Sequence, residues 1–314
     1  MAFAYGSGAY KQVGHTDPSK NMLDFIFVVD NPASWHRTNI TTNPRHYSFL
    51  RWLGPKHVAS IGDRFGAGIY FNTLVPCEGR VIKYGVIKTE TLINDLLDWD
   101  TLYVSGRLQK PVQTIYSQED KELHCALLTN HQSAIHTSLL LLPDTFSEQE
   151  LYFMITGLSY NGDFRMRIGE DRNKIENIVR PNIEHFRRLY EVILKHESHL
   201  HWNVSAGTFE QSLDFTSQYH HLNLLPKQVQ LGLVAHRNKD GRHRDIEEVI
   251  RSFSHDRECR EVIQTCLAGI VKQSSVTQSL KGIFTAGVIK SVKYSWSKLK
   301  KMVKSTRREN IASS

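Results

Sequence analysis

Leu23-Asp24-Phe25-Ile26-Phe27-Val28-Val29-Asp30 reads as a strand with a carboxylate near each end. The unbroken β-branched and aromatic run between them suits a strand covered on both faces. Asp24 opens that apolar strand, where burial is costly unless a partner or a metal meets the charge. Just upstream, Phe3-Ala4-Tyr5 reads as the end of another strand and Gly6-Ser7-Gly8 as a tight turn. A glycine–serine turn at a helix start offers bare amides and a hydroxyl to phosphates. A carboxylate on the next strand can hold the magnesium that neutralises them. Together these are the parts of nucleotidyl transfer. Alone, Gly-Ser-Gly is more often an ordinary turn.

Outward from that strand, alternation predicts further strands at Ile69–Val75, Arg80–Lys88 and Pro111–Tyr116, with Pro76-Cys77-Glu78-Gly79 as a hairpin turn. Thr91–Trp99 is expected to be a short helix. From about Glu119 the period becomes helical: Leu123–Leu142 is one helix, closed by Pro143. Ser147-Glu148-Gln149-Glu150 is a capping box opening a second, which stops before the turn Tyr160-Asn161-Gly162. Asp163–Ile168 is a candidate strand. Asn182–His196, Pro226–His236 and Asp245–Val271 carry helical patterns, and 198–225 reads as a His-rich connector. The expected class is α/β (α+β): an α/β N-terminal half, a helical middle and a basic tail.

The 314 residues are 40% hydrophobic and 23% charged, enough for an ordinary core and two or three domains. Cys77, Cys125, Cys259 and Cys266 are scattered, so neither a zinc cage nor a disulfide framework is indicated, and a reducing compartment is the simpler reading. Apolar runs such as Leu139–Leu142 fall far short of the ~20 residues that cross a bilayer. The first residues show neither a signal-peptide pattern nor an Arg-rich presequence. The net charge of +7 conceals a division: ten Lys or Arg and no acid lie between Glu261 and Glu309, while residues 1–261 carry a net −2. A uniformly basic nucleic-acid surface is thereby excluded, and no nucleic-acid partner is expected. The 16 histidines form no H-E-x-x-H or comparable pair, so spacing points to no zinc. Ser7 has no evident His/Asp partners for a hydrolase triad; phosphate binding suits it better.

Tyr5-Gly6-Ser7-Gly8, Leu23-Asp24-Phe25-Ile26-Phe27, Trp35-His36 with Asn39, Asn43 and His46-Tyr47-Ser48 together resemble the mitochondrial phosphatidate cytidylyltransferase family, also called the mitochondrial translocator assembly and maintenance proteins. The likeness continues through Gly66-Ala67-Gly68-Ile69-Tyr70-Phe71-Asn72, Ile82-Lys83-Tyr84-Gly85-Val86 and Tyr103-Val104-Ser105-Gly106-Arg107-Leu108-Gln109-Lys110-Pro111. It reaches Leu158-Ser159-Tyr160-Asn161-Gly162-Asp163-Phe164-Arg165-Met166 and Gly282-Ile283-Phe284-Thr285-Ala286-Gly287, covering nearly the whole chain. The resemblance implies a nucleotidyltransferase domain with a mixed sheet, a helical winged-helix-like domain and a membrane-associating C-terminal segment, here expected at 1–118, 119–261 and 262–314. It also implies magnesium-dependent synthesis of CDP-diacylglycerol from CTP and phosphatidic acid, feeding cardiolipin. The implied location is peripheral, on the matrix side of the mitochondrial inner membrane.

Under that resemblance Asp24 holds magnesium. Nucleotidyltransferases of this superfamily usually carry a second acid two positions later, where this chain has Ile26. Asp30 shares the strand face but lies about 20 Å along a straight strand, and Asp30 or Asn31 is well placed to cap a helix beginning at Pro32. Asp163 is the better second carboxylate, with a turn role as its plain alternative. Gly6, Ser7 and Gly8 would cradle the β- and γ-phosphates, and Lys83, Arg107 and Lys110 would grip the triphosphate or the phosphatidate head. His36, Asn39, Asn43 and His46 are either substrate contacts or polar groups on a helix surface. The expected step is attack by the phosphatidate phosphate on the α-phosphorus of CTP, releasing pyrophosphate. That nucleophile is already ionised, so no strong general base is required. The alternatives are an RNA-directed nucleotidyltransferase, which needs a basic groove with stacking aromatics, and a non-catalytic membrane assembly factor, which does not need Asp24.

A helical Val288–Lys304 would put Val288, Val292, Trp296, Leu299 and Val303 in one stripe, opposite Lys290, Lys293, Lys300, Lys301 and Lys304. That pattern fits an anionic membrane surface, or else a basic helix docked on the body or bound by nucleic acid.

Overall fold

The computed structural model describes residues 1–10, 22–166 and 173–286; the tail stripe from Val288 and residues 167–172 lie outside them. The N-terminal body comprises β1 (Ala2–Tyr5), β2 (Leu23–Val29), α1 (Pro32–Thr42), α2 (Pro55–Arg64), β3 (Ile69–Cys77), β4 (Arg80–Lys88), α3 (Thr89–Asp98), α4 (Ser105–Leu108) and β5 (Gln113–Tyr116). Its strands form one mixed sheet in the order β3-β4-β2-β1-β5, with β2 parallel to β4 and the other neighbours antiparallel. Ile26 and Val28 of β2 join Phe3, Phe71 and Ile87 in a core closed by Leu92 and Leu96 of α3 and Leu123 of the helix that follows. Phe25, Phe27 and Val29 meet Tyr84, Val86 and Trp35 on the opposite face. A fully buried Ile26 or Phe3 is worth ~1.5–3 kcal/mol over its exposed form, so this two-sided burial fixes the central strand.

The helical body contains α5 (Lys121–Leu141), β6 (Thr145–Ser147), α6 (Glu148–Leu158), α7 (Lys174–Val179), α8 (Ile183–His196), β7 (Leu200–Asn203), β8 (Thr208–Gln211), α9 (Phe215–Asn223), α10 (Lys227–Arg237), α11 (Ile246–Phe253) and α12 (Cys259–Ala286). The capping box forms as expected: Ser147 accepts from the Glu150 amide and Glu150 from the Ser147 amide. Leu139, Leu151, Tyr152, Phe186, Val229 and Ile263 are among the residues of its single core.

Three expectations are corrected. The described part of the candidate strand, residues 163–166, is not a strand: Gly162 turns the chain at φ +87°, the Asp163 carboxylate accepts the Arg165 amide at 2.9 Å, and a 3-10 turn, Phe164–Met166, follows. A local side-chain bond of this kind competes directly with a sheet ladder. The 198–225 connector contains the β7–β8 hairpin, whose Trp202 stacks on Phe209 at 5.3 Å, and then α9, capped by Asp214. Asp245–Val271 is two helices, broken where Asp256 accepts the Glu258 amide at 2.8 Å.

The second of those helices, α12, runs on through the boundary expected at 261/262 and locks the two bodies together. Gln278 accepts the Ala67 amide at 2.9 Å and donates to Ile69 O at 3.3 Å, at the start of β3. No described helix is long and apolar enough to cross a membrane.

Candidate active site

The register of the sheet sets Asp24 between Tyr5 of β1 and Lys83 of β4. Lys83 Nζ stands 3.8 Å from Asp24 Oδ1 and 4.2 Å over the Phe71 ring. Gly6 follows directly at φ +76°, and a Cβ there would come within 3.6 Å of Asp24 Oδ2. Glycine is the residue that takes this backbone without strain and leaves that carboxylate edge open. Gly6–Gly8 forms a single 3-10 turn, with Gly6 O accepting the Ala9 and Tyr10 amides at 3.1 and 3.0 Å. Any helix start beyond Tyr10 lies outside the described residues.

Arg107, from α4, lays its guanidinium 4.1 Å over the Tyr5 ring and 5.4 Å from Tyr103. Its Nε is buried without an acceptor among the described residues. One helical turn on, buried Lys110 donates to Ser159 Oγ at 2.8 Å and to Gly106 O. Burial and the neighbouring Arg107 charge push the Lys110 ammonium well below the usual lysine range. Asp163 is buried and held by Arg165 as a fork, with Arg165 Nε 3.0 and 3.1 Å and Nη2 2.7 Å from its oxygens. Tyr103 lies between these cations. Burial would raise its phenol, but Arg165, Lys83 and Arg107 hold it down to about 8. Tyr103, Arg107, Lys110, Asp163 and Arg165 line one cleft, bounded by Ser274 and Ser275 of α12.

The loop that delivers Arg107 is built around Asp95, a residue given no role above. Its Oδ1 accepts the Thr101 amide and hydroxyl, both at 2.8 Å, and the Leu102 amide at 3.0 Å. Its Oδ2 accepts the Val104 and Ser105 amides at 3.2 and 2.9 Å. Trp99 and Leu102 are held at φ +58° and +50°, a left-handed backbone that persists because the carboxylate gathers the loop around itself. The signal in the sequence was an acid on the apolar face of a helix, beside Leu92 and Leu96.

Asp30 does not join Asp24. It lies past the far end of β2, where Val29 pairs with Lys88, and accepts the Thr89 hydroxyl at 2.7 Å at the start of α3. Asn31 caps α1 instead, accepting the Ser34 amide at 3.0 Å. His36, Asn39, Asn43 and His46 bond to one another's partners on the opposite face of the sheet. His36 Nδ1 meets Tyr47 OH at 2.8 Å, and His46 Nδ1 meets Tyr84 OH at 2.8 Å. Asn39 donates to both hydroxyls at 2.8 Å and accepts from Asn43 at 2.9 Å. Burial lowers His36 to about 4, so the ring is neutral inside this network.

A hard carboxylate beside an open glycine, adjoining a cleft rich in lysine and arginine, suits a polyanion with a bound divalent cation. Known proteins give that chemistry a name. A family model described as mitochondrial phosphatidate cytidylyltransferase matches residues 1–301. A protein of that name from Xenopus laevis is 50% identical over 310 residues, covering 98% of this chain and 92% of its own. One from Danio rerio is 49% identical over 311 residues, covering 98% and 92%. One from Caenorhabditis elegans is 45% identical over 307 residues, covering 97% and 94%.

Proposed function

Since the chain belongs to the mitochondrial phosphatidate cytidylyltransferase family, we propose that it transfers the cytidylyl group of CTP to phosphatidic acid in the cleft beside Asp24. A phosphate oxygen of phosphatidic acid bonds to the α-phosphorus, the α–β bridging bond breaks, and pyrophosphate leaves with that electron pair. The products are CDP-diacylglycerol and pyrophosphate. The observation that carries this reading is the meeting of Gly6, Asp24, Lys83 and Arg107 at one end of the sheet. The buried Arg107 Nε, with no acceptor among the described residues, fits an anionic ligand.

Asp24 fits magnesium, which takes one or two carboxylates and fills its shell with water and substrate phosphates. Bound there, the ion would offset charge on the triphosphate. Asp163 would serve as a second ligand only after Arg165 exchanges it for a substrate phosphate, because the fork now engages both oxygens. Lys83 steadies Asp24, and Gly6, Ser7 and Gly8 border the same edge. Arg107 and Lys110 take the non-bridging oxygens, and the arriving anion favours the charged form of Lys110. Phosphatidic acid needs no base, its phosphate being ionised at neutral pH.

The product feeds cardiolipin synthesis in this proposal. The chain works peripherally on the matrix face of the mitochondrial inner membrane, drawn to anionic lipid by the basic residues from Lys290 to Arg308. The test is incubation of the purified chain with labelled CTP, magnesium and phosphatidic acid in detergent. The proposal expects labelled CDP-lipid and equimolar pyrophosphate; no labelled lipid, or extension of an RNA oligonucleotide instead, overturns it.

A further inference from the structure

We propose that the helical body holds a structural zinc ion between His136, Glu197, His220 and His221. The four come from three helices: His136 from α5, Glu197 from the residue after α8, and His220 and His221 from α9. One donor atom from each lies within 4.8 Å of all the others. His136 Nδ1 is 3.1 Å from His221 Nδ1 and 3.7 Å from Glu197 Oε2, and His220 Nε2 is 3.8 Å from Glu197 Oε1. A tetrahedral ion with bonds of about 2.0–2.1 Å separates its ligand atoms by roughly 3.3 Å, so small side-chain adjustments close the shell.

Charge and hydrogen bonding point the same way. The Glu197 side chain is only 7% exposed, and its ion-pair partners among the described residues are histidines. A buried carboxylate packed against three imidazoles is a costly arrangement without a countercharge, which a divalent cation would supply. His221 Nε2 is buried with no hydrogen-bond partner among the described residues, and the ring's Nδ1 faces His136 Nδ1. Around the group, the His199 amide donates to Glu197 Oε1 at 3.1 Å and His199 Nδ1 meets Ser217 Oγ at 3.1 Å, contacts that orient the shell from outside.

Three imidazoles and one carboxylate are a zinc donor set; magnesium and calcium prefer oxygen throughout. Four protein ligands leave no position for a substrate, so the ion is structural and ties α5, α8 and α9.

The test titrates metal-stripped protein with Zn2+ alone, against a chromophoric chelator, and records the melting temperature. Expected are one saturable equivalent, a raised Tm, and the intense visible bands of four-coordinate Co2+ on cobalt substitution. Asp24→Asn should leave all three unchanged, which separates this ion from any at the cleft. His221→Gln and Glu197→Gln should weaken binding at least tenfold; His220→Gln, at the least buried ligand, gives the same readout if the others fail to fold. No saturable binding by the unmodified chain, a six-coordinate Co2+ spectrum, or full affinity in a folded ligand variant overturns the proposal.

Discussion

Asp24 and Lys83 are direct register partners in the parallel β2–β4 pair, with Nζ 3.8 Å from Oδ1 and each side chain less than one-fifth exposed. That separation is too long for a hydrogen bond, so the lysine steadies the carboxylate without occupying it. Lys83→Met should therefore lower cytidylyl transfer on the order of a hundredfold, the scale of removing one positioned electrostatic group. Steady-state kinetics beside thermal melts checks this; turnover within twofold of the unmodified chain contradicts it.

Asp95 is the stability prediction. In Asp95→Asn a carboxamide NH2 replaces one oxygen and faces amides that now donate to it. Each buried donor left without an acceptor costs ~1–3 kcal/mol, so urea unfolding should show a loss on the order of 3 kcal/mol. Turnover should fall with it, because the same loop carries Arg107. An unchanged unfolding midpoint would remove Asp95 from the site's support.

Lys110 should take up a proton when CTP binds. Burial and Arg107 depress its ammonium, and a triphosphate alongside raises it again. Calorimetry of CTP binding in buffers of different ionisation enthalpy should show uptake, and Lys110→Met should lose that component. The same proton balance in both proteins contradicts the role.

Lys281 gives a pH signature. It donates to Gly62 O at 3.0 Å and to Phe65 O, and burial lowers it to about 7, with Asp63 opposing. The unfolded chain then binds more protons than the folded one between about pH 7 and the ordinary lysine range near 10.5. Stability from this group therefore rises with pH across that window. Subtracting the Tm profile of Lys281→Met from that of the unmodified chain should leave a positive slope from pH 7 to about 9; a flat or falling difference contradicts it.

Where one physical signal dominates, the sequence was readable. Leu23–Val29 and Arg80–Lys88 match the observed strands because burial on both faces demands an unbroken apolar run in the first, and the hairpin partner sets the second. Ser147 with Glu150, and Asn31 before Pro32, declare helix starts through local chemistry alone. The meeting of Gly6 and Asp24 followed from two adjacent strands. Side-chain pairing, local or between elements, hid the rest. Arg165 takes up the carboxylate of Asp163, Thr89 takes that of Asp30, and Asp95 serves a loop that no period reveals. His136, Glu197, His220 and His221 have no motif spacing and meet only when three helices close.

The most direct measurement is CDP-lipid formation by Asp24→Asn beside the unmodified chain, with labelled CTP, magnesium and short-chain phosphatidic acid, and melting temperatures recorded for both. Asp24 is partly exposed at the end of its strand, so the variant should fold with a similar Tm. Turnover should be lost in the folded variant and clear in the unmodified protein. Near-normal CDP-lipid formation by folded Asp24→Asn would contradict the assignment of this carboxylate, and of the cleft beside it, as the site of cytidylyl transfer.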